Sequence, residues 1–337
     1  MSKSEKLNKE LKAFAEQFKS LKDQVQQAIV GYDDLITDTL VAIFSQGHVL
    51  LEGVPGLGKT YLVRVIGEVL GLEPGRIQCT PDLMPADILG TQIVHEDESG
   101  RPTMHFEAGP VFKNVVLVDE INRATPKTQA ALLEVMQEQA VTTGGERREL
   151  PKPFFVLATQ NPMEMEGTYP LPEAQLDRFM FKIKVPFPDL DELVEISKRT
   201  TGFKEVALEK VMSGEDLTRF QEILTQVPVA DPLTKYAAQL VLATHPEESE
   251  SGETEGATRY VSYGSSPRGL QALIRGARAH AVLDGRTAVA AEDIQRVAKA
   301  ALRHRVILNF EGEAESVDVD RLLDELIEKT PTPAQAA

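Results

Sequence analysis

The sequence predicts an α/β fold, a mostly parallel sheet followed by a helical domain. Three observations carry the prediction. Apolar runs at 48–51, 115–118, 154–157 and 179–185 are continuous rather than alternating, as in central strands of a parallel sheet covered on both faces. The first run ends in a glycine-rich turn, 53-GVPGLG-58, and a helical pattern opens directly after it. Beyond the proline-rich stretch at 186–188 the chain reads as helix after helix.

Residues 1–28 read as a charged amphipathic helix. Leu7, Leu11, Phe14, Phe18, Leu21, Val25 and Ala28 recur in steps of four and three, which makes one apolar stripe. That stripe is expected to pack on the chain's own globular part rather than to project as a coiled-coil arm. Residues 29–186 form the α/β domain, with a helix from Thr60 to Leu70 stopped by Gly71. Two stretches interrupt its regularity. Residues 91–106 look like two strands around Ser99-Gly100, and residues 139–150 look like a hairpin around Gly144-Gly145. Both read as excursions from the main sheet. Residues 187–330 form the helical domain, with helices near 268–283, 291–303 and 318–328 and a polar, acidic loop at 244–266. Residues 331–337 read as a frayed tail.

Composition narrows the classes. The chain has 337 residues, a net charge of −16 and one cysteine, Cys79. A lone cysteine makes no internal disulfide and suits a reducing cytoplasm. The charged start MSKSEKLNKELK has no apolar signal core, and no apolar run approaches the roughly 18 residues that span a bilayer. Direct membrane insertion is therefore not expected. The acidic balance argues against nucleic-acid binding, which needs clustered Lys and Arg.

The chemistry begins in 50-LLEGVPGLGKTYL-62. Gly53-x-x-x-x-Gly58-Lys59-Thr60 matches a phosphate-binding loop. Its glycines let backbone N–H groups face phosphates, and the following helix adds a positive dipole end. Lys59 is placed to reach the β- and γ-phosphates, and Thr60 to hold Mg²⁺. Downstream, 115-VVLVDE-120 ends a buried strand in two acids. Asp119 suits a Mg²⁺ ligand and Glu120 a general base for an attacking water. Asn161, in 158-ATQNP-162, ends the next strand and can orient that water. Arg178, in 171-LPEAQLDRF-179, reads as an arginine finger. The inferred strand order keeps Arg178 from its own nucleotide, so it is expected to act in trans, which requires an oligomer. Arg268, in 264-GSSPRG-269, follows a Ser-Pro helix start and faces whatever lies above that helix end.

Together these residues resemble the MoxR branch of AAA+ ATPases. The order EGVPGLGKT, VVLVDEINRA, ATQNP, LPEAQLDRF and SPRG carries the resemblance, which runs from about Ile29 to Leu308. It implies a P-loop parallel-sheet domain with a hairpin inserted in the second helix and another before sensor 1, followed by a helical lid. By resemblance Asn161 is sensor 1, Arg178 the finger and Arg268 sensor 2, with Val30 and Gly31 against the adenine. The candidate nucleotide contacts are then Val30, Gly31, Gly53, Val54, Pro55, Gly56, Leu57, Gly58, Lys59, Thr60 and Tyr61, with ATP and Mg²⁺ as cofactors. The family further implies a cytoplasmic ring, usually a hexamer. Such rings remodel client proteins in a chaperone-like way, with a von Willebrand factor A domain protein as partner. A GTPase base-reading motif and an ABC signature are both missing from the chain. The competing readings are a DNA-remodelling ring, for which Arg147 and Arg148 supply the basic residues, a magnesium-chelatase-like motor subunit, and a scaffold that binds ATP without turnover.

Overall fold

In a computed structural model, residues 3–96, 102–162, 167–201, 206–246 and 259–333 are described. Five strands form the main sheet: β1 (Val49–Glu52), β2 (Pro74–Gln78), β5 (Val115–Asp119), β8 (Phe155–Gln160) and β9 (Phe181–Lys184). Their order is β2-β5-β8-β1-β9, and every pairing is parallel. Glu52 pairs with Gln160 and Lys184, and Asp119 with Gln78. One edge of the sheet therefore gathers the C-terminal ends of all five strands, where α/β folds place their ligands.

The continuous apolar runs have the expected cause. Successive side chains on a strand point to opposite faces. Val49, Leu51, Leu117, Leu157 and Phe181 enter one buried cluster, whereas Leu50, Val116, Val118, Val156 and Ala158 enter another. The first face is covered by α1 (Lys3–Ala28), α2 (Asp33–Phe44), α3 (Lys59–Leu70) and the helical lid. Against the second lie α4 (Pro85–Leu89) and α5 (Pro126–Glu138).

The fifth strand, β2, has no counterpart among the expected strands. It begins with Pro74-Gly75, residues that weaken a strand signal, and only one of its five side chains is buried. As an edge strand it tolerates Pro at its start. The two excursions are as read: β3 (Gly90–Glu96) pairs with β4 (Pro102–Ala108), and β6 (Ala140–Thr143) with β7 (Glu146–Glu149), each as a separate antiparallel ribbon. Gly144 and Gly145 both have positive φ, the mark of a two-residue hairpin turn. Ser99-Gly100 and most of the acidic loop lie outside the described residues.

The stripe of α1 packs on the chain itself. Leu11, Phe14, Phe18, Leu21 and Val25 are buried. The Phe14 ring meets Phe44 of α2 at 5.0 Å and Phe220 of α8 (Gly214–Thr225) at 5.3 Å. This helix therefore ties the α/β domain to the lid. Arg305 makes a second tie. It is buried, pairs with Asp177 at 2.8 Å, and donates to the carbonyls of Asp177, Phe179 and Met180 just before β9. Among the described residues no helix is long and apolar enough to cross a membrane.

Between α1, α2 and the lid lies a cleft of about 1310 Å³ lined by Asp34, Asp38, Arg296 and Arg303. Burial raises the Asp38 pKa to about 7; repulsion from Asp34 adds to this, and Arg303 and Arg296 oppose it. The folded chain thus keeps a proton that the unfolded chain releases near pH 4, so Asp38 costs stability as pH rises from about 4 to 7. Asp38→Asn is expected to raise stability at pH 8 by about 2 kcal/mol, below the full shift because the cleft is open to water. Denaturant melts at pH 4 and pH 8 check this, and the gain should vanish at pH 4.

Candidate functional site

The loop 53–58 leaves β1 at the ligand edge of the sheet. Gly53 N–H donates to Gln160 O at 3.2 Å, which sets the loop's start beside the end of β8. Gly56 and Gly58 have φ of +86° and +76°, and nothing lies within 4 Å of where a Cβ would stand on either. Both positions need the left-handed region that glycine enters freely, and the open space leaves the backbone accessible to a phosphate. Lys59 Nζ folds back to donate to Gly53 O at 2.5 Å. Its pKa is lowered by burial, with Asp119 and Glu120 pulling it back up.

Asp119 ends β5 directly across from this loop. Thr60 Oγ1 lies 3.5 Å from Asp119 Oδ2. A hydroxyl and a carboxylate oxygen side by side form the hard-oxygen pair that Mg²⁺ takes while it keeps waters and phosphate oxygens as its other ligands. The donor set therefore fits the metal. Thr159 Oγ1 donates to Asp119 Oδ1 at 2.8 Å and accepts from Glu120 N–H at 2.8 Å.

Glu120 has φ +54°, ψ +54°, a left-handed conformation uncommon outside Gly, Asn and Asp. The backbone turns sharply there, immediately after the strand. The Glu120 carboxylate is met by Arg123 at 3.2 Å and by Gln78 Nε2 at 3.4 Å. Asn161 is buried one residue beyond β8, and its carbonyl accepts from Asn122 Nδ2 at 3.4 Å. Gly31 (φ +68°) packs against Glu192 at the start of α7 (Leu190–Thr201). That segment follows Val185, which abuts Gly53. Cys79 is buried, and burial pushes its thiol up to about 12, with Asp119 and Glu120 adding. It is a neutral thiol at physiological pH, and such buried thiols are inert.

Three residues here were not legible in the sequence. Arg76 and Gln78 lie on the unanticipated strand β2, and alternation points both to the side where Asp119 sits. Arg76 NH2 is 2.9 Å from Asp119 Oδ2 and 2.7 Å from Gln78 Oε1. The third, Thr159, lies in 158-ATQNP-162, where a threonine carries no signal of its own.

The structure does not bring Arg178 and Arg268 to this edge. Met180 N–H donates to His48 O at 2.8 Å. From His48 to Gly53 is five residues of strand, about 16 Å at 3.3 Å per residue. Arg178 thus stands at the opposite edge of the sheet from the loop. Arg268 is there too, on the first turn of the lid helix Pro267–Leu283, whose cap residue Ser266 donates to Asp177 Oδ1 at 2.7 Å. Arg178, Arg268 and Arg275 line one small pocket with Gln46 and Gly47. Asp177 beside them is committed to Arg305 at 2.8 Å and lies 3.9 Å from Arg268. The face is left with a surplus of positive charge on an acidic chain.

Comparison with known proteins agrees with this fold. The family model described as the ATPase family associated with various cellular activities (AAA) matches residues 48–181, and that of the AAA lid domain matches residues 253–326. The chain is 42% identical over 311 residues to Chaperone MoxR1 of Mycobacterium tuberculosis, across 92% of this chain and 81% of that one. It is 33% identical over 334 residues to Protein MoxR of Paracoccus denitrificans, across 94% and 96% of the two. A crystal structure of a candidate ATPase from Cytophaga hutchinsonii superposes with a TM-score of 0.90 at 38% identity, covering 98% of this chain and 99% of that one.

Proposed function

The chain belongs to the MoxR family of AAA+ ATPases, and on that premise we propose that it hydrolyses ATP with Mg²⁺ in a ring of like subunits, a hexamer, to remodel or mature partner proteins. The observation that carries the reading is the split between two half-sites. Lys59, Thr60, Asp119, Glu120 and Asn161 share one edge of the sheet, while Arg178 and Arg268 share the other. A head-to-tail ring brings the second edge of one subunit against the first edge of the next, which completes every site from two chains.

Within that site each group has one task. Backbone N–H groups of the loop Gly53–Thr60 take the phosphates, and Lys59 leaves the Gly53 carbonyl to reach the β- and γ-phosphates. Val30, Gly31 and Tyr61 flank the base and sugar. Thr60 and Asp119 would hold Mg²⁺, which would supply positive charge against the charge developing on the phosphates. Glu120 takes the proton of the attacking water, and Asn161 orients that water. Arg178 and Arg268 of the neighbouring subunit stabilise the charge that builds on the transferred phosphoryl group.

Several features suit work on proteins. Val94 and Met104 face each other across the β3–β4 ribbon and are both 64% exposed. An apolar pair at that place fits gripping of a client segment. Arg147 and Arg148, the basic residues behind the DNA reading, are paired with Glu149 and Glu146, so that hairpin offers little free positive charge to a phosphate backbone. A von Willebrand factor A domain protein is the expected partner and the cytoplasm the expected compartment.

Equilibrium binding of a fluorescent ATP analogue tests the assignment of the loop. Lys59→Ala should raise the Kd about 100-fold, the equivalent of one or two charge-assisted hydrogen bonds lost. An unchanged Kd would mean that the nucleotide binds elsewhere.

A further inference from the structure

Asp119 is held from the side by a cation of the chain itself. Arg76 NH2 sits 2.9 Å from Asp119 Oδ2, the same oxygen that Thr60 Oγ1 approaches at 3.5 Å. Oδ2 is thus the oxygen on the Thr60 side, whereas Oδ1 is engaged by Thr159. Gln78 Oε1 accepts from the same Arg76 nitrogen at 2.7 Å and so fixes the direction of the guanidinium. Arg76 and Gln78 are alternate residues of β2, and the register sets Gln78 opposite Asp119, so the strand itself delivers both side chains to the acids of β5. The Arg76 side chain is 56% exposed while Asp119 is 15% exposed, which leaves the arginine free to swing away and the acid not.

We propose that Arg76 is a cationic placeholder for the divalent metal: it neutralises Asp119 until the ion arrives, must yield Oδ2 when it does, and thereby sets the metal concentration the site requires. The inference rests on Thr60 and Asp119 being the metal's protein ligands. The physical reason is competition for one oxygen. A site whose carboxylate is occupied most of the time binds its ion more weakly by the fraction of time the carboxylate is free. A single positive charge close to a dication adds repulsion that partial exposure to water only partly screens. An exposed pair of this kind is a weak lock, so the effect is a tuning of affinity rather than a block.

The test measures metal affinity directly, by electron paramagnetic resonance of bound Mn²⁺ in full-length protein saturated with a non-hydrolysable ATP analogue. Arg76→Gln is expected to tighten Mn²⁺ binding about three- to tenfold, whereas Arg76→Lys, which keeps the charge, stays near wild type. Asp119→Asn serves as the reference and should weaken binding at least tenfold. If Asp119→Asn weakens the ion and Arg76→Gln leaves it unchanged or weaker, the placeholder is wrong and the metal ligands stand. If Asp119→Asn has no effect, the ligand assignment fails, and the placeholder with it.

Discussion

Glu120→Gln is expected to bind ATP as tightly as the unaltered chain and to hydrolyse it about 10²–10⁴-fold more slowly, the range that removal of a positioned general base produces. The substitution keeps size and hydrogen-bonding shape and removes only the ability to accept a proton. The backbone there is over-determined: the φ of +54° is held by the Glu120 N–H bond to Thr159 Oγ1 at 2.8 Å, a bond that glutamine leaves intact. The side-chain partners Arg123 and Gln78 also have an oxygen to meet in either residue. The loss should therefore fall on turnover rather than on fold or affinity. Single-turnover hydrolysis beside equilibrium ATP binding separates the two. Wild-type turnover in Glu120→Gln would remove Glu120 from the role of base.

Arg178→Ala is expected to lose about 10³-fold or more in turnover, as removal of an arginine finger does, with ATP affinity of the isolated chain unchanged. The fold has little stake in this side chain. The neighbouring Asp177 is bound by Arg305 and Ser266, and the turn that carries Arg178 is held by backbone hydrogen bonds such as Met180 N–H to His48 O. Thermal melting should match the unaltered protein. A residue that served its own subunit's loop would have to cross the height of the sheet, about 16 Å of strand, and Arg178 does not.

Much of the α/β layout was legible, because its signals are local. Buried parallel strands leave apolar runs, and a strand followed by Gly53-x-x-x-x-Gly58-Lys59-Thr60 fixes where the loop sits relative to the sheet. The hairpin at Gly144-Gly145 was legible for the same reason, since two positive-φ glycines are a local demand. Strand β2 was not, since an edge strand with one buried residue and a Pro-Gly start carries almost no pattern. Missing it also hid Arg76 and Gln78, whose importance exists only through register with Asp119. The apolar stripe of α1 was plain, but a stripe does not say which surface covers it. Phe14 meeting both Phe44 and Phe220 is a tertiary fact. The position of Arg268 was likewise beyond sequence. Its Ser-Pro cap predicts a helix start, yet only the packing of the lid against Asp177 and β9 sets that start beside Arg178 rather than beside Lys59.

The central claim is that each site is built from two subunits, and mixing two inactive variants tests it most directly. Lys59→Ala lacks the phosphate-binding lysine of its own loop but offers an intact Arg178, and Arg178→Ala has the reverse defect. Each alone should be inactive. In an equimolar mixture, random assembly into a head-to-tail ring should complete about a quarter of the sites and return activity in that proportion. A mixture shown by tag capture to contain both variants, yet as inactive as either alone, would contradict the account.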